Sequence, residues 1–262
     1  MIKSKKILKS KHLKISLIIS ICILIIIISF SSFYILENKN KEKNFINEVW
    51  ENKILPASSN FSITEILVPS VTGEGKGMIT RIIVEPRIGS GKIMVDIENI
   101  IFWSDTQYSI RIAKKVAERY FNMSLDNVDL IYSIDANATI VEGSSAGAAL
   151  AIATIAALEN KTIRKDVTIT GAINTDGAIL QVGGILEKGI AAKEKGIKTM
   201  LVPKGQSKII KYETERSCRR IATITYCEVK TKPIEVDISK ELGINIVEVS
   251  HVVEALNYMI EK

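Results

Sequence analysis

The sequence predicts a mixed α+β domain preceded by one transmembrane helix. Three observations carry this expectation. First, Ile15 to Leu36 is an uncharged run of 22 residues, mostly Ile, Leu, Phe and Ser. As a helix it spans about 30 Å, the thickness of a bilayer's hydrocarbon core. Second, alternating and helix-periodic segments are interspersed beyond it without regular βαβ alternation, which favours α+β over α/β. Third, the 262 residues are 47% hydrophobic and 24% charged, enough apolar material for a core. That excludes a disordered chain, a collagen and a disulfide-dense mini-fold.

The N-terminal elements follow from charge. Residues 1–14 carry Lys3, Lys5, Lys6, Lys9, Lys11 and Lys14 and no acid. Without these six, the remaining 29 basic residues equal the 29 acidic ones, so the net charge of +6 is a local membrane signal and not a nucleic-acid surface. The positive-inside rule places residues 1–14 in the cytoplasm, residues 15–36 as a single-pass anchor in the cell membrane, and the rest outside. A cleaved signal peptide with Ser29 and Ser31 near the scissile bond is the alternative; the apolar run continuing through Phe33, Tyr34, Ile35 and Leu36 favours a retained anchor. Residues 37–56 read as a linker and 57–262 as the working domain. Cys218 and Cys227 are the only cysteines beyond the anchor. They flank a strand-like stretch, Ile221 to Tyr226, and can close a disulfide loop in an oxidising compartment; two unpaired thiols are the alternative.

Within the domain, Ser62–Pro69, Gly77–Glu85 and Lys92–Ile97 read as strands. Asp105–Phe121 reads as an amphipathic helix with Asp105 as its cap and Ile110, Ala113, Val116, Ala117 and Tyr120 at helical spacing. Val128–Ile134 is a buried strand. The glycine- and serine-bearing loop 142–147 leads into an alanine-rich helix from about Ser145 to Leu158. Val167–Thr170 and Ala178–Val182 form a hairpin turning near Asp176-Gly177. Gly183-Gly184 opens a helix to about Lys195. Thr199–Val202 and Ile244–Val247 are short strands, and His251–Ile260 is the last helix.

Several motifs fail. Gly89-Ser90-Gly91-Lys92 imitates the end of a phosphate-binding loop, but Pro86 and Ile93 stand where that loop needs Gly and Ser or Thr. There is no dinucleotide fingerprint, no HExxH and no zinc-ligand spacing, so neither cofactor nor metal is expected. His12 lies on the cytoplasmic side and His251 sits in an apolar helix pattern, where a surface or capping role is expected. A nucleophile here needs a base other than histidine.

Ser145 stands at a helix start, where unpaired N–H groups and the helix dipole favour an oxyanion. Gly143, Ala146 and Gly147 leave room for a peptide carbonyl. Lys188 follows Gly183-Gly184 in the first turns of the next helix, where burial and the dipole disfavour its charge and let it serve as a base.

These residues resemble a family. Gly143-Ser144-Ser145-Ala146-Gly147 with Ala148-Ala149-Leu150 is similar to the nucleophile segment of Lon-type proteases, usually Gly-Pro-Ser-Ala-Gly. Thr170-Gly171, Val182-Gly183-Gly184, Glu187-Lys188, Ala191 to Lys198 and Leu201-Val202-Pro203 resemble the Lon lysine segment in the same order. The similarity is strong over residues 130–205 and weaker from Ala57 to Ala255; archaeal membrane-anchored Lon-like proteases without an ATPase domain look nearest. The resemblance implies a Lon proteolytic-domain fold and a Ser–Lys dyad, with Ser145 as nucleophile and Lys188 as general base. It further implies that Thr170 orients the lysine and that backbone N–H groups around Gly143, Ser144 and Ala146 hold the oxyanion. Two departures stand out: Ser144 replaces the usual proline, and Glu142, if it touched Lys188, would raise the lysine pKa.

The expected activity is ATP-independent hydrolysis of peptide bonds in unfolded proteins or peptides, by a domain that the resemblance suggests assembles as a homo-oligomeric ring. The alternatives are an inactive membrane-tethered interaction module and a phosphate-binding enzyme resembling the GHMP small-molecule kinases. Asn-x-Ser/Thr sequons occur at Asn60, Asn122, Asn137 and Asn160.

Overall fold

The computed structural model describes residues 30–33, 37, 61–98, 101–102, 104–135, 140–141, 143–221 and 224–261. The chain divides into two units, Met1–Asn52 and Lys53–Lys262. In the first, residues 30–33 and 37 are helical, and most of the expected anchor at 15–36 lies outside the described residues, as do segment 1–14 and most of the 37–56 linker. Among the described residues no helix is long and apolar enough to cross a membrane.

In the second unit the elements run β1 (Thr64–Val71), β2 (Gly77–Ile88), β3 (Ile93–Val95), β4 (Ile101–Phe102), α1 (Ser104–Tyr120), β5 (Val128–Asp135) and β6 (Ile140–Val141). A 3-10 turn (Ser144–Ala146) follows, then α2 (Gly147–Leu158), β7 (Val167–Ile169), β8 (Ala172–Ile173), β9 (Ile179–Leu180), α3 (Ile185–Glu194) and β10 (Thr199–Pro203). The chain ends with β11 (Lys208–Ile221), β12 (Ile224–Asp237), α4 (Ile238–Leu242), β13 (Asn245–Val249) and α5 (Val252–Met259). The architecture is α+β, as expected. One mixed sheet has the order β1-β2-β5-β3, and a second, all-parallel sheet has the order β13-β10-β7.

The alanine-rich α2 is buried along its whole length. Its small side chains let β1, β2, α1 and α5 approach closely, so it forms the centre of the unit. A helix apolar on every face belongs at such a centre. A second apolar cluster, Ile185, Ala192, Ile197, Met200, Val202, Ile238, Leu242 and Ile244, packs α3 against β10 and α4. Gly189 makes that contact tight: a Cβ there would overlap Leu242 Cδ1.

The strand readings at β1, β2, β5 and β10 and the four longer helices hold to within a few residues. Two readings are corrected. Val167–Thr170 does not form a hairpin with Ala178–Val182. Strand β7 pairs in parallel with β10, thirty residues on in the chain, while the Asp176-Gly177 turn closes the shorter hairpin β8–β9. Ile221 and Ile224–Tyr226 are not an independent strand but belong to the ribbon β11–β12, paired in register from Lys208↔Asp237 to Ile221↔Ile224. That ribbon is a two-stranded sheet of its own, and residues 212–220 and 228–233 are exposed on both faces. Glu213↔Lys232 and Glu215↔Lys230 stand opposite each other, and Cys218 and Cys227 face one another and are disulfide-bonded.

The phosphate-loop imitation has its own explanation. The N–H groups of Ser90 and Lys92 both donate to Asp129 Oδ1, at 2.8 and 2.7 Å. These backbone donors hold the Asp129 carboxyl below its ordinary range, so the anion in this turn is the protein's own. Of the sequons, Asn122 and Asn160 occupy left-handed conformations just past α1 and α2, where asparagine serves to end a helix. Asn60 and Asn137 lie outside the described residues.

Candidate active site

The segment that carries Ser145 is held at both ends. Gly143 has φ 100°, a conformation that L side chains rarely adopt, and leads into the 3-10 turn. The helix α2 starts only at Gly147, so Ser145 lies in that turn, just ahead of the helix and not within it. The Ser145 carbonyl accepts from Gly171 N–H at 2.9 Å and from the Thr170 hydroxyl at 3.5 Å. Gly147 packs against Ile173, and a Cβ on Gly147 would stand 2.8 Å from Ile173 Cγ2. Ser145 is half-buried while its neighbour Ser144 is exposed, which separates the two hydroxyls.

Lys188 is the fourth residue of α3. Gly184, at φ 69°, turns the chain into the helix, and Lys188 N–H makes the bond to Gly184 C=O at 3.0 Å. Only 3% of Lys188 is exposed. Among the described residues its ammonium has neither an ion-pair nor a hydrogen-bond partner. Burial therefore draws its pKa down from 10.5 to about 8, opposed by the nearby Glu187 carboxylate. A buried, unpaired lysine is costly in a merely structural role and useful to proton transfer.

The two residues share a framework. Both α3 and the 3-10 turn pack against β1. Val71 of β1 meets Gly184, and Leu67 of the same strand accepts from Thr168 Oγ1 at 2.6 Å. Thr170 is fully buried, and its N–H is taken by Leu201 C=O. Its hydroxyl reaches the Ser145 carbonyl instead of Lys188, so the structure ties it to the nucleophile's backbone. Gly143 is also corrected as an oxyanion donor, because its N–H is spent on Asp105 Oδ2 at 2.7 Å. Glu142 lies outside the described residues. His251 is buried and caps α5, as a capping role required: Nδ1 accepts from Val253 N–H, and Nε2 bonds Asp176 C=O at 2.8 Å. Among the described residues no group of His, Cys, Asp or Glu gathers as a metal site.

Two residues escape a reading of the sequence. Asp105 looks like a simple helix cap, and nothing in its surroundings announces a bond to Gly143, 38 positions later. Gln206 exchanges two hydrogen bonds with the backbone of Val182, accepting at 3.0 Å and donating at 2.8 Å. Its amide acts as a one-residue strand partner and fixes the chain just before Gly183-Gly184. Only the general rule that polar side chains near a turn bond backbone could have suggested it.

The unit is α+β, with the Ser145 turn and the helix of the buried Lys188 both packed against β1. The family model of the Lon protease (S16) C-terminal proteolytic domain matches residues 96–236, and the chain belongs to that family, one of serine peptidases. The chain is 32% identical over 126 residues to Lon protease 1 of Myxococcus xanthus, covering 47% of this chain and 15% of that protein. It is 32% identical over 143 residues to the archaeal Lon protease of Thermococcus kodakarensis, covering 53% and 22%. With the peroxisomal Lon protease homolog 2 of Caenorhabditis elegans it shares 30% over 172 residues, covering 63% and 21%. The chain thus spans about a fifth or less of the length of these relatives.

Proposed function

We propose that this protein is a membrane-anchored serine endopeptidase in which Ser145 attacks and Lys188 is the general base. Neutral Lys188 takes the Ser145 Oγ proton as the oxygen adds to a peptide carbonyl. The oxyanion falls to the backbone N–H groups of Ser144–Ala146, since Gly143 is engaged elsewhere. The lysine then returns the proton to the leaving amine, and water hydrolyses the acyl-enzyme by the same route in reverse. What carries the reading is the burial of Lys188 without a counter-ion on a helix that shares β1 with the serine turn.

Substrates on this reading are extended segments of unfolded polypeptide, cut without added nucleotide. The domain 57–262 works outside the cell membrane as part of a homo-oligomeric ring, tethered by residues 15–36. The disulfide fits an oxidising exterior. The test is hydrolysis of casein or a quenched peptide by the wild type, Ser145→Ala and Lys188→Ala, with folding followed by circular dichroism. Loss in both variants with the fold intact supports the dyad. Equal activity in all three refutes it. A serine-reactive phosphonate should label Ser145 in the wild type and fail to do so in Lys188→Ala.

A further inference from the structure

The Ser145 turn is restrained from two sides, and the restraints come from different parts of the fold. On the downstream side the Ser145 carbonyl is held by Gly171 and Thr170. On the upstream side the Gly143 N–H donates to Asp105, the second residue of α1. The Asp105 carboxylate is half-buried and uses both oxygens: Oδ1 accepts from Thr106 N–H at 2.8 Å, within its own helix, and Oδ2 reaches across to Gly143 at 2.7 Å. Asp105 lies inside the first turn of α1 and is not its cap; the first bond satisfies a first-turn N–H that has no intrahelical partner, and the second leaves the helix altogether. The second is a charge-assisted bond, at a helix terminus whose dipole favours a carboxylate.

What it restrains is the most permissive residue of the loop. Glycine at φ 100° has little intrinsic preference for that conformation over its neighbours, so an external partner must select it. A Cβ built on Gly143 would stand 4.0 Å from Ser145 Oγ, so this residue lies beside the nucleophile.

We infer that Asp105 is a positioning residue for peptide hydrolysis: its carboxylate fixes the Gly143 peptide and thereby holds Ser145 Oγ in its attacking position. This rests on the dyad proposed above. Asp105 touches neither substrate nor the reacting atoms, so its effect belongs in kcat and not in KM. Misplacement of a reacting group by about 1 Å lowers rate by as much as about 100-fold.

The test separates support of the first turn of α1 from positioning. Asp105→Ser keeps a side-chain acceptor for the first turn of α1 but is too short to reach Gly143. Asp105→Asn keeps one of the two acceptors. Asp105→Ala keeps neither. The expected result for Asp105→Ser is a kcat lowered about 10- to 100-fold, with KM within about twofold, an unchanged pH midpoint and an unchanged melting temperature. Asp105→Asn should lie between it and the wild type. Wild-type kcat in Asp105→Ser overturns the inference. So does a loss in that variant that tracks loss of fold, or a shift of KM alone. Ser145→Ala and Lys188→Ala run in the same assay tell the two readings apart. If they are inactive while Asp105→Ser is fully active, only the positioning role fails. If Ser145→Ala is as active as the wild type, the dyad fails and this inference with it.

Discussion

Raising the pH from 6 to 9 titrates the buried amine of Lys188, and the rate of peptide hydrolysis should follow its neutral fraction. With a pKa of about 8, that fraction is about 1% at pH 6, about 9% at pH 7, one half at pH 8 and about 90% at pH 9. The rate should therefore rise roughly tenfold from pH 6 to 7, about fivefold from 7 to 8, and less than twofold thereafter. Glu187 opposes the shift, so Glu187→Gln should move the midpoint to lower pH. The same shift affects stability. The folded pKa lies below the unfolded one, so the unfolded chain holds more protons between pH 8 and 10.5, and stability rises with pH across that window. Below it the buried charge costs on the order of 3 kcal/mol. Lys188→Met should abolish activity and stabilise the domain at pH 7 by an amount of that order. The assays are initial rates on a quenched peptide from pH 6 to 10 and urea unfolding at pH 7. A midpoint near 10, a Glu187→Gln midpoint that moves upward, or a Lys188→Met protein less stable than the wild type would refute the reasoning.

Three further outcomes are expected. His251→Ala removes the α5 cap and the bond to Asp176, and should cost about 1–2 kcal/mol in urea unfolding; no change would mean that these bonds contribute nothing net. Gly77→Ala drives a Cβ into the Glu187 carbonyl at the base of the lysine helix. It should destabilise by about 1–3 kcal/mol and lower kcat, and an unperturbed enzyme would show that α3 shifts freely. Replacing Cys218 and Cys227 by serine releases a closed loop worth about 2–3 kcal/mol, confined to the ribbon. Trypsin should then nick the arginine-rich tip faster while peptidase activity stays within about twofold; a parallel loss of activity would make the ribbon part of the catalytic unit.

The parts of the fold legible in the sequence are those whose burial leaves a period. Helix α1 buries Ile110, Ala113, Val116, Ala117 and Tyr120 on one face, and the Ile66 and Val68 positions of β1 alternate inward. The ribbon β11–β12 escaped because it buries neither face for most of its length, so its alternation is polar on polar. The partner of β7 escaped for another reason. A turn signal at Asp176-Gly177 is local, whereas the parallel pairing of Val167–Ile169 with Thr199–Leu201 is made through a helical crossover. The site divides in the same way. Ser145 and Lys188 stand out because glycine precedes each close to the start of a helix. Asp105 and Gln206 do not, because their bonds join residues far apart in the chain, and no spacing encodes them.

On the proposed reading an enzyme that cuts extended chain must avoid self-digestion, and the ribbon is exposed on both faces over residues 212–220 and 228–233. Its strands are already zipped to each other in fourteen successive pairs, so neither is free to lie in a cleft as a lone thread. Should the tip be severed between Cys218 and Cys227, the sulfur bridge keeps the two new ends joined. The cross-link thus makes such a break survivable: the severed strands remain side by side in one molecule.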